Sequence, residues 1–290
     1  MNPQGKFEFG VQIGSNNFLG DLGGHLGKGS DFAKDYMLKT VKPFGGISLN
    51  YYPYAWLNII AGINLTQVAG ADSLIDNKNG FEKWRYYRNL SFKSSIFEGY
   101  IGAEVYPLMA FQNYEISRFR LQPYFGLGVG LFHFNPKANY NGQWVDLKPL
   151  RLEGQGMAEY PNRKEYSLIQ MEMVMGAGVK YYIKENMYFG FEILHRKTFT
   201  DYVDDVSTDY INPALFANYL TPAQATMARQ LAYRETLINP SMNRPYIDKQ
   251  RGDPKENDAF FSGLLRFGMR LNGDNATSRQ KKQLKCPVFY

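Results

Sequence analysis

Arg120–Asn135 reads RLQPYFGLGVGLFHFN, and its alternation decides the fold. The odd positions Leu121, Pro123, Phe125, Leu127, Val129 and Leu131 are apolar. The even positions Gln122, Tyr124, Gly126, Gly128 and Gly130 are polar or tiny. A period of two describes a strand with two unlike faces. In a soluble sandwich the apolar face would point into a core. Here the opposite face is largely glycine, which suits the crowded inside of a narrow barrel. The stretch therefore predicts a transmembrane β-strand, apolar side to lipid and small or polar side to the lumen. If Leu127, Met173 and Phe267 pointed to the barrel axis, this placement would fail.

The same alternation recurs along the chain. Phe7, Phe9, Val11 and Ile13 oppose Glu8, Gly10, Gln12 and Gly14. Ile47, Leu49 and Tyr51 oppose Gly46, Ser48 and Asn50, and Leu57 to Val68 continues the pattern after a short turn at Pro53-Tyr54-Ala55. Further strands are predicted around Phe97–Tyr106, Ile169–Lys180, Met187–Arg196 and Phe261–Leu271. About eight strands result, joined alternately by long and short connections. Long loops at one end and short turns at the other are the pattern of outer-membrane barrels, with both termini in the periplasm. The expected architecture is an all-β, eight-stranded antiparallel transmembrane barrel over residues 1–272, followed by a basic periplasmic tail over 273–290. The last long connection holds a capping box, Thr221-Pro222-Ala223-Gln224, which predicts a helix from about Pro222 to Leu237. Asn212-Pro213 is a candidate start for a shorter one.

Composition sets outer bounds. With 290 residues the chain is ample for one large domain. Its mean hydropathy of −0.41 and its lack of a long apolar run exclude a helical membrane protein. The net charge of +6 comes from scattered Lys and Arg, apart from the tail, so nucleic-acid binding is not indicated. The start, MNPQGKFEFG, shows no apolar leader; for a membrane barrel this is the expectation for a mature chain.

Inward-facing charges of both signs are expected in the lumen: Glu8, Glu98, Glu104, Glu172 and Glu192 with Lys6, Lys180, Arg196, Arg266 and Arg270. An eight-stranded barrel has room for side chains and little else, and buried charges must be paired. A packed ion-pair network is expected, not an open channel. No catalytic set, cofactor motif or zinc spacing is evident. His133 and His195 fall on the outward face near the loop end without a serine motif beside them, and His25 lies in a loop. The acidic run Asp201–Tyr210 could hold calcium, but it lacks the spacing and glycine of a calcium loop; turn-forming Asp is the simpler reading. The single cysteine, Cys286, cannot form an internal disulfide.

Three stretches carry a family resemblance: FTDYVDDVSTDYINP (Phe199–Pro213), NNFLGDLGG (Asn16–Gly24) and LKCPVF (Leu284–Phe289). They resemble the PorG-like barrels of the type IX secretion system of Bacteroidota. The resemblance implies a structural role without chemistry, anchoring the periplasmic ring of a PorK-like lipoprotein and a PorN-like protein to the outer membrane. On that reading the tail, with Lys281, Lys282, Lys285 and Cys286, contacts the ring, and Cys286 is a candidate for a disulfide to the lipoprotein. A lipid-modifying barrel enzyme and a small porin are the alternatives.

Overall fold

The computed structural model describes residues 7–22, 38–75, 82–111, 120–184, 186–238, 240–241 and 247–271. Among the described residues ten strands form: β1 (Phe7–Leu19), β2 (Lys42–Tyr54), β3 (Leu57–Ala71), β4 (Ser91–Val105), β5 (Leu121–His133), β6 (Pro136–Tyr140), β7 (Gln143–Asp146), β8 (Ile169–Lys184), β9 (Met187–Thr198) and β10 (Ala259–Leu271). Eight of them close a barrel in the order β1-β2-β3-β4-β5-β8-β9-β10, every neighbour antiparallel. Closure comes from β1 on β10, in register from Phe7 opposite Leu271 to Leu19 opposite Ala259. No edge is left in the wall, which a sheet spanning lipid requires.

The opening stretch behaves as its alternation dictates. Leu121, Phe125, Leu127, Val129 and Leu131 lie exposed on the outside of β5, while Gln122 and Tyr124 are buried inside. Leu127 is 60% exposed and Phe267 43%, and Met173 shares their outward face. The outward residues turn polar toward the loop end, at Ser15, Gln67, Ser95, His133 and Lys197. An apolar belt thus girdles the wall and stops at a polar rim. Exposed apolar surface of this extent is stable only where something apolar covers it.

The connections alternate as expected. β1–β2, β3–β4, β5–β8 and β9–β10 are joined by long segments at one end; β2–β3 and β8–β9 have short turns at the other, where β1 also begins and β10 ends.

The long connections differ from the expectation in content. The sequence predicts polar segments with one clear helix. Instead α1 (Glu82–Arg88) precedes β4, and β6 and β7 form a hairpin that extends the wall beyond β4, with Lys93 opposite Lys137. A short helix, α2 (Pro107–Phe111), lies in the β4–β5 turn. After β9 come α3 (Phe216–Tyr219), next to a 3-10 turn begun at Asn212-Pro213, and α4 (Pro222–Ala232). The capping box on α4 is formed in both directions. The helix nevertheless ends at Ala232, five residues short of the expected end at Leu237. Tyr233 leaves helical geometry and stacks on Tyr210 at 5.2 Å, donating its hydroxyl to the Ile211 carbonyl. A tertiary contact stops the helix where composition alone would continue it.

The loops and the upper strands share the largest apolar core among the described residues. It includes Phe92, Phe132, Phe134, Leu150, Val206, Phe216, Leu231 and Phe260. The loop end of the barrel therefore carries a folded cap.

Candidate functional site

Two features could bear function: the lumen and the cap. The lumen begins at the short-turn end with a lysine in an aromatic cage. Lys180 Nζ lies 4.6 Å from the ring centre of Tyr188, 5.3 Å from Tyr106, 5.5 Å from Tyr124 and 5.6 Å from Tyr52. It pairs with Glu8 at 3.1 Å and Glu104 at 3.5 Å, and donates to the Tyr52 hydroxyl at 2.9 Å. Glu104 also pairs with Arg266 and accepts from Asn58 at 2.7 Å and Tyr106 at 2.6 Å. Arg266 donates to Asn50 at 2.7 Å and reaches Glu192 at 3.8 Å. Arg270 sits lower, 3.9 Å from Glu8, and donates to the Tyr182 hydroxyl at 2.9 Å. Lys180, Glu104, Glu8, Arg266 and Arg270 are thus flanked by neutral polar groups or aromatic faces as well as by counter-ions, the condition under which a buried ion pair is tolerated.

The sequence reading expects a packed ion-pair network in the lumen, and the structure divides it. Above the first polar layer lies an apolar one: Phe44, Ile60, Val174, Leu194 and Leu264, with Tyr100. All come from the inward parity that elsewhere holds charges. Beside it is a cavity of about 20 Å³ lined by Ile60, Tyr100, Gly126, Val174, Glu192 and Leu194, about the room one water needs. A second polar layer follows, with Arg196 paired to Glu98 at 2.7 Å and donating to Ser262 at 3.0 Å, and Ser262 donating to Asn16 at 2.9 Å. Glu172 belongs to this layer, its carboxyl hydrogen-bonded to that of Glu98 and facing Arg196. The network is two clusters separated by an apolar septum and roofed by the cap core.

Of the residues singled out in the sequence, the structure brings together Glu8, Glu104, Glu192, Lys180, Arg266 and Arg270 in one cluster. Glu98, Glu172 and Arg196 form the other. Lys6, His25, Lys281, Lys282, Lys285 and Cys286 lie outside the described residues. His133 is exposed and His195 half-exposed at the rim of the belt, as expected from their parity. The tyrosines of the cage were missed; their inward parity was readable, but which ones converge on Lys180 depends on strand register.

The cap has its own polar centre. Arg88 at the end of α1 holds both oxygens of Asp72, at 2.8 and 2.9 Å, and donates to the Asp21 and Arg251 carbonyls. Glu153 pairs with Arg251 at 2.7 Å and accepts from the Ser207 and Thr208 amides at 3.0 and 2.9 Å, and from the Thr208 hydroxyl at 2.8 Å. Asp204 accepts from the Val206 amide at 2.9 Å and the Leu22 amide at 3.2 Å. The first is the Asp turn expected for the acidic run; the second ties it to the end of β1. Asp205, in left-handed backbone at φ 64°, accepts from Tyr166 at 2.7 Å. Burial pushes its carboxyl up to about 7, against the pull of Arg251. Among the described residues no group of three or more acidic, His or Cys side chains is arranged to hold a metal ion. Apart from the acidic run, these cap residues were missed by the sequence reading, because loop segments have no periodicity to read.

Comparison with known proteins adds little detail. No family model matches the chain, and no curated protein does. Among solved structures, Neisserial surface protein A aligns at 8% identity over 92% of this chain and 97% of its own, with a TM-score of 0.41. The attachment invasion locus protein Ail of Yersinia pestis aligns at 10% identity over 92% and 99%, with a TM-score of 0.38. Outer membrane protein OprG from Pseudomonas aeruginosa aligns at 12% identity over 92% and 96%, with a TM-score of 0.36. At such scores the architecture rests on the strand pairing itself: a closed, eight-stranded antiparallel β-barrel with an apolar exterior and a folded cap.

Proposed function

We propose that the protein spans the outer membrane and serves as a structural component of the type IX secretion system. Its short-turn end would anchor the periplasmic ring of the PorK-like lipoprotein and its PorN-like partner. The observation that carries the reading is the filled lumen inside an apolar belt: an ion-pair layer, an apolar septum, a second polar layer and a cap leave binding at the ends as the use the geometry favours. Two of the three stretches that carry the resemblance also meet in the cap, where the Leu22 amide donates to Asp204. The resemblance is therefore built from residues that depend on one another.

On this reading the barrel, solubilised with its membrane and pulled down, brings the two ring proteins with it, and its deletion stops secretion. Cys286 would form a disulfide with the ring lipoprotein, giving a larger band on non-reducing gels that Cys286→Ser removes. Absence of the ring proteins from the pull-down, with normal secretion in the deletion strain, would sink the proposal. Altered lipid A with intact secretion would favour a lipid-modifying enzyme instead.

A further inference from the structure

The seam between the end of β1 and the two ends of the β9–β10 connection collects carboxyls. Asp21 follows β1, Asp201 and Asp204 follow β9, and Asp258 precedes β10. Asp201 is 7% exposed, and Asp204 and Asp258 are fully enclosed. Asp201 acts electrostatically on Asp204, both act on Asp258, and Asp21 acts on all three. The chain is shaped to permit the crowding. A Cβ on Gly20 would stand 2.2 Å from Asp258 Oδ1, and one on Gly252 2.4 Å from Asp21 Oδ2.

Among the described residues, the charges facing the seam do not balance it. Arg88 acts on Asp21 and Asp204, but its guanidinium is already held by both oxygens of Asp72. Glu153 and Asp253 add negative charge, and Arg251 is engaged by Glu153. Hydrogen bonding covers the carboxyls only in part. Asp204 has the Val206 and Leu22 amides, and Asp258 has the Val203 amide at 2.8 Å on one oxygen. Asp201 has only the Ser207 hydroxyl, and the other Asp258 oxygen accepts no hydrogen bond among the described residues. Like charges this close in a water-poor site cannot all ionise.

We propose that the seam is a proton-operated latch: with Asp201, Asp204 and Asp258 neutral, the β9–β10 connection is fastened to the end of β1, and their ionisation releases it. Release would open the cap core and uncover the loop-side mouth of the barrel. The titration of the groups agrees. Burial raises Asp201 to about 8 and Asp21 to about 6, and lifts Asp204 and Asp258 well above the usual carboxylate range. An unfolded cap has lost these protons by about pH 5, whereas the closed cap keeps them. The closed state therefore binds more protons, and raising the pH from about 5 to about 8 progressively removes its stability. The inference concerns the cap alone and does not depend on the anchoring role.

Hydrogen exchange on the full chain, refolded in detergent micelles and followed by mass spectrometry, tests it. Peptides covering 201–211 and 252–262 should be protected at about pH 5.5. After correction for intrinsic rates they should lose at least about tenfold of that protection by about pH 9, the effect of one pH unit on a single carboxyl. Peptides from β4 and β5 should not change. In the double variant D201N/D258N, and in Asp204→Asn should the double variant not refold, protection should persist more strongly at high pH than in the wild type. Equal wild-type protection at both pH values overturns the latch. So does an Asn variant that opens as the wild type does. Opening on addition of EDTA at low pH would also overturn it, by assigning the neutralisation to a metal.

Discussion

Gly268 and Tyr188 show how single residues shape the lumen. A Cβ at Gly268 would come within 2.1 Å of the Tyr188 ring, so the glycine is what lets the tyrosine lie across the lumen against Lys180. Gly268→Ala must displace that ring, and a loss of about 1–3 kcal/mol is expected from overpacking, read by urea unfolding of the barrel in lipid vesicles. Glu104 carries more. It is the counter-ion of both Lys180 and Arg266, so Glu104→Gln leaves two buried cations with Glu8 and a distant Glu192. A loss of about 3–5 kcal/mol is expected from breaking a buried pair. A Glu104→Gln barrel as stable as the wild type would show that the layer is hydrated and the ion pairs unimportant. Gly268 sits at the inward parity of β10, so its need for smallness was readable; its particular obstacle, a residue eighty positions earlier, was not.

At the scale of the element, α4 and the loop around Glu153 illustrate two kinds of stability. The start of α4 is local: Thr221 and Gln224 cap one another across one turn. Thr221→Ala should cost about 1 kcal/mol, visible as faster proteolysis of the β9–β10 connection with the barrel intact. The Glu153 hub is not local, since its partners lie 54, 55 and 98 residues away. Glu153→Gln removes the counter-charge of buried Arg251, and the cap should loosen by about 3–5 kcal/mol. In a protease digest the strands should survive while the loops are cut. If the whole barrel unfolded together, cap and wall would be one cooperative unit. The helix start was legible because a capping box is written in four consecutive residues. The helix end was not, because Tyr233 stops it through a contact with Tyr210.

For the molecule as a whole, the apolar belt and the filled lumen make separate predictions. Leu127 faces outward in the middle of the belt on β5, between Met175 and Ala103 in register. Leu127→Arg should cost about 2–4 kcal/mol if lipid covers it, and almost nothing if water does; refolding into vesicles against urea distinguishes the two. The septum of Ile60, Val174, Leu194 and Leu264 should block ions. Purified barrel in planar bilayers is expected to give no steady conductance, and a reproducible open level would contradict the layered lumen.

What the sequence by itself determined is the wall. A period of two is a property of the backbone, and each strand carries its own copy of it, so strand number, the outward face and the alternation of long and short connections follow without knowledge of the partners. What only the tertiary structure decided is how the inside is layered and that the loops fold. Whether an inward residue meets a charge or a septum depends on the register of eight strands, and Lys180 and Glu8 come together across 172 positions. The cap core and its crowded carboxyls are assembled from four connections without any repeating pattern, and only their mutual burial makes them one structure.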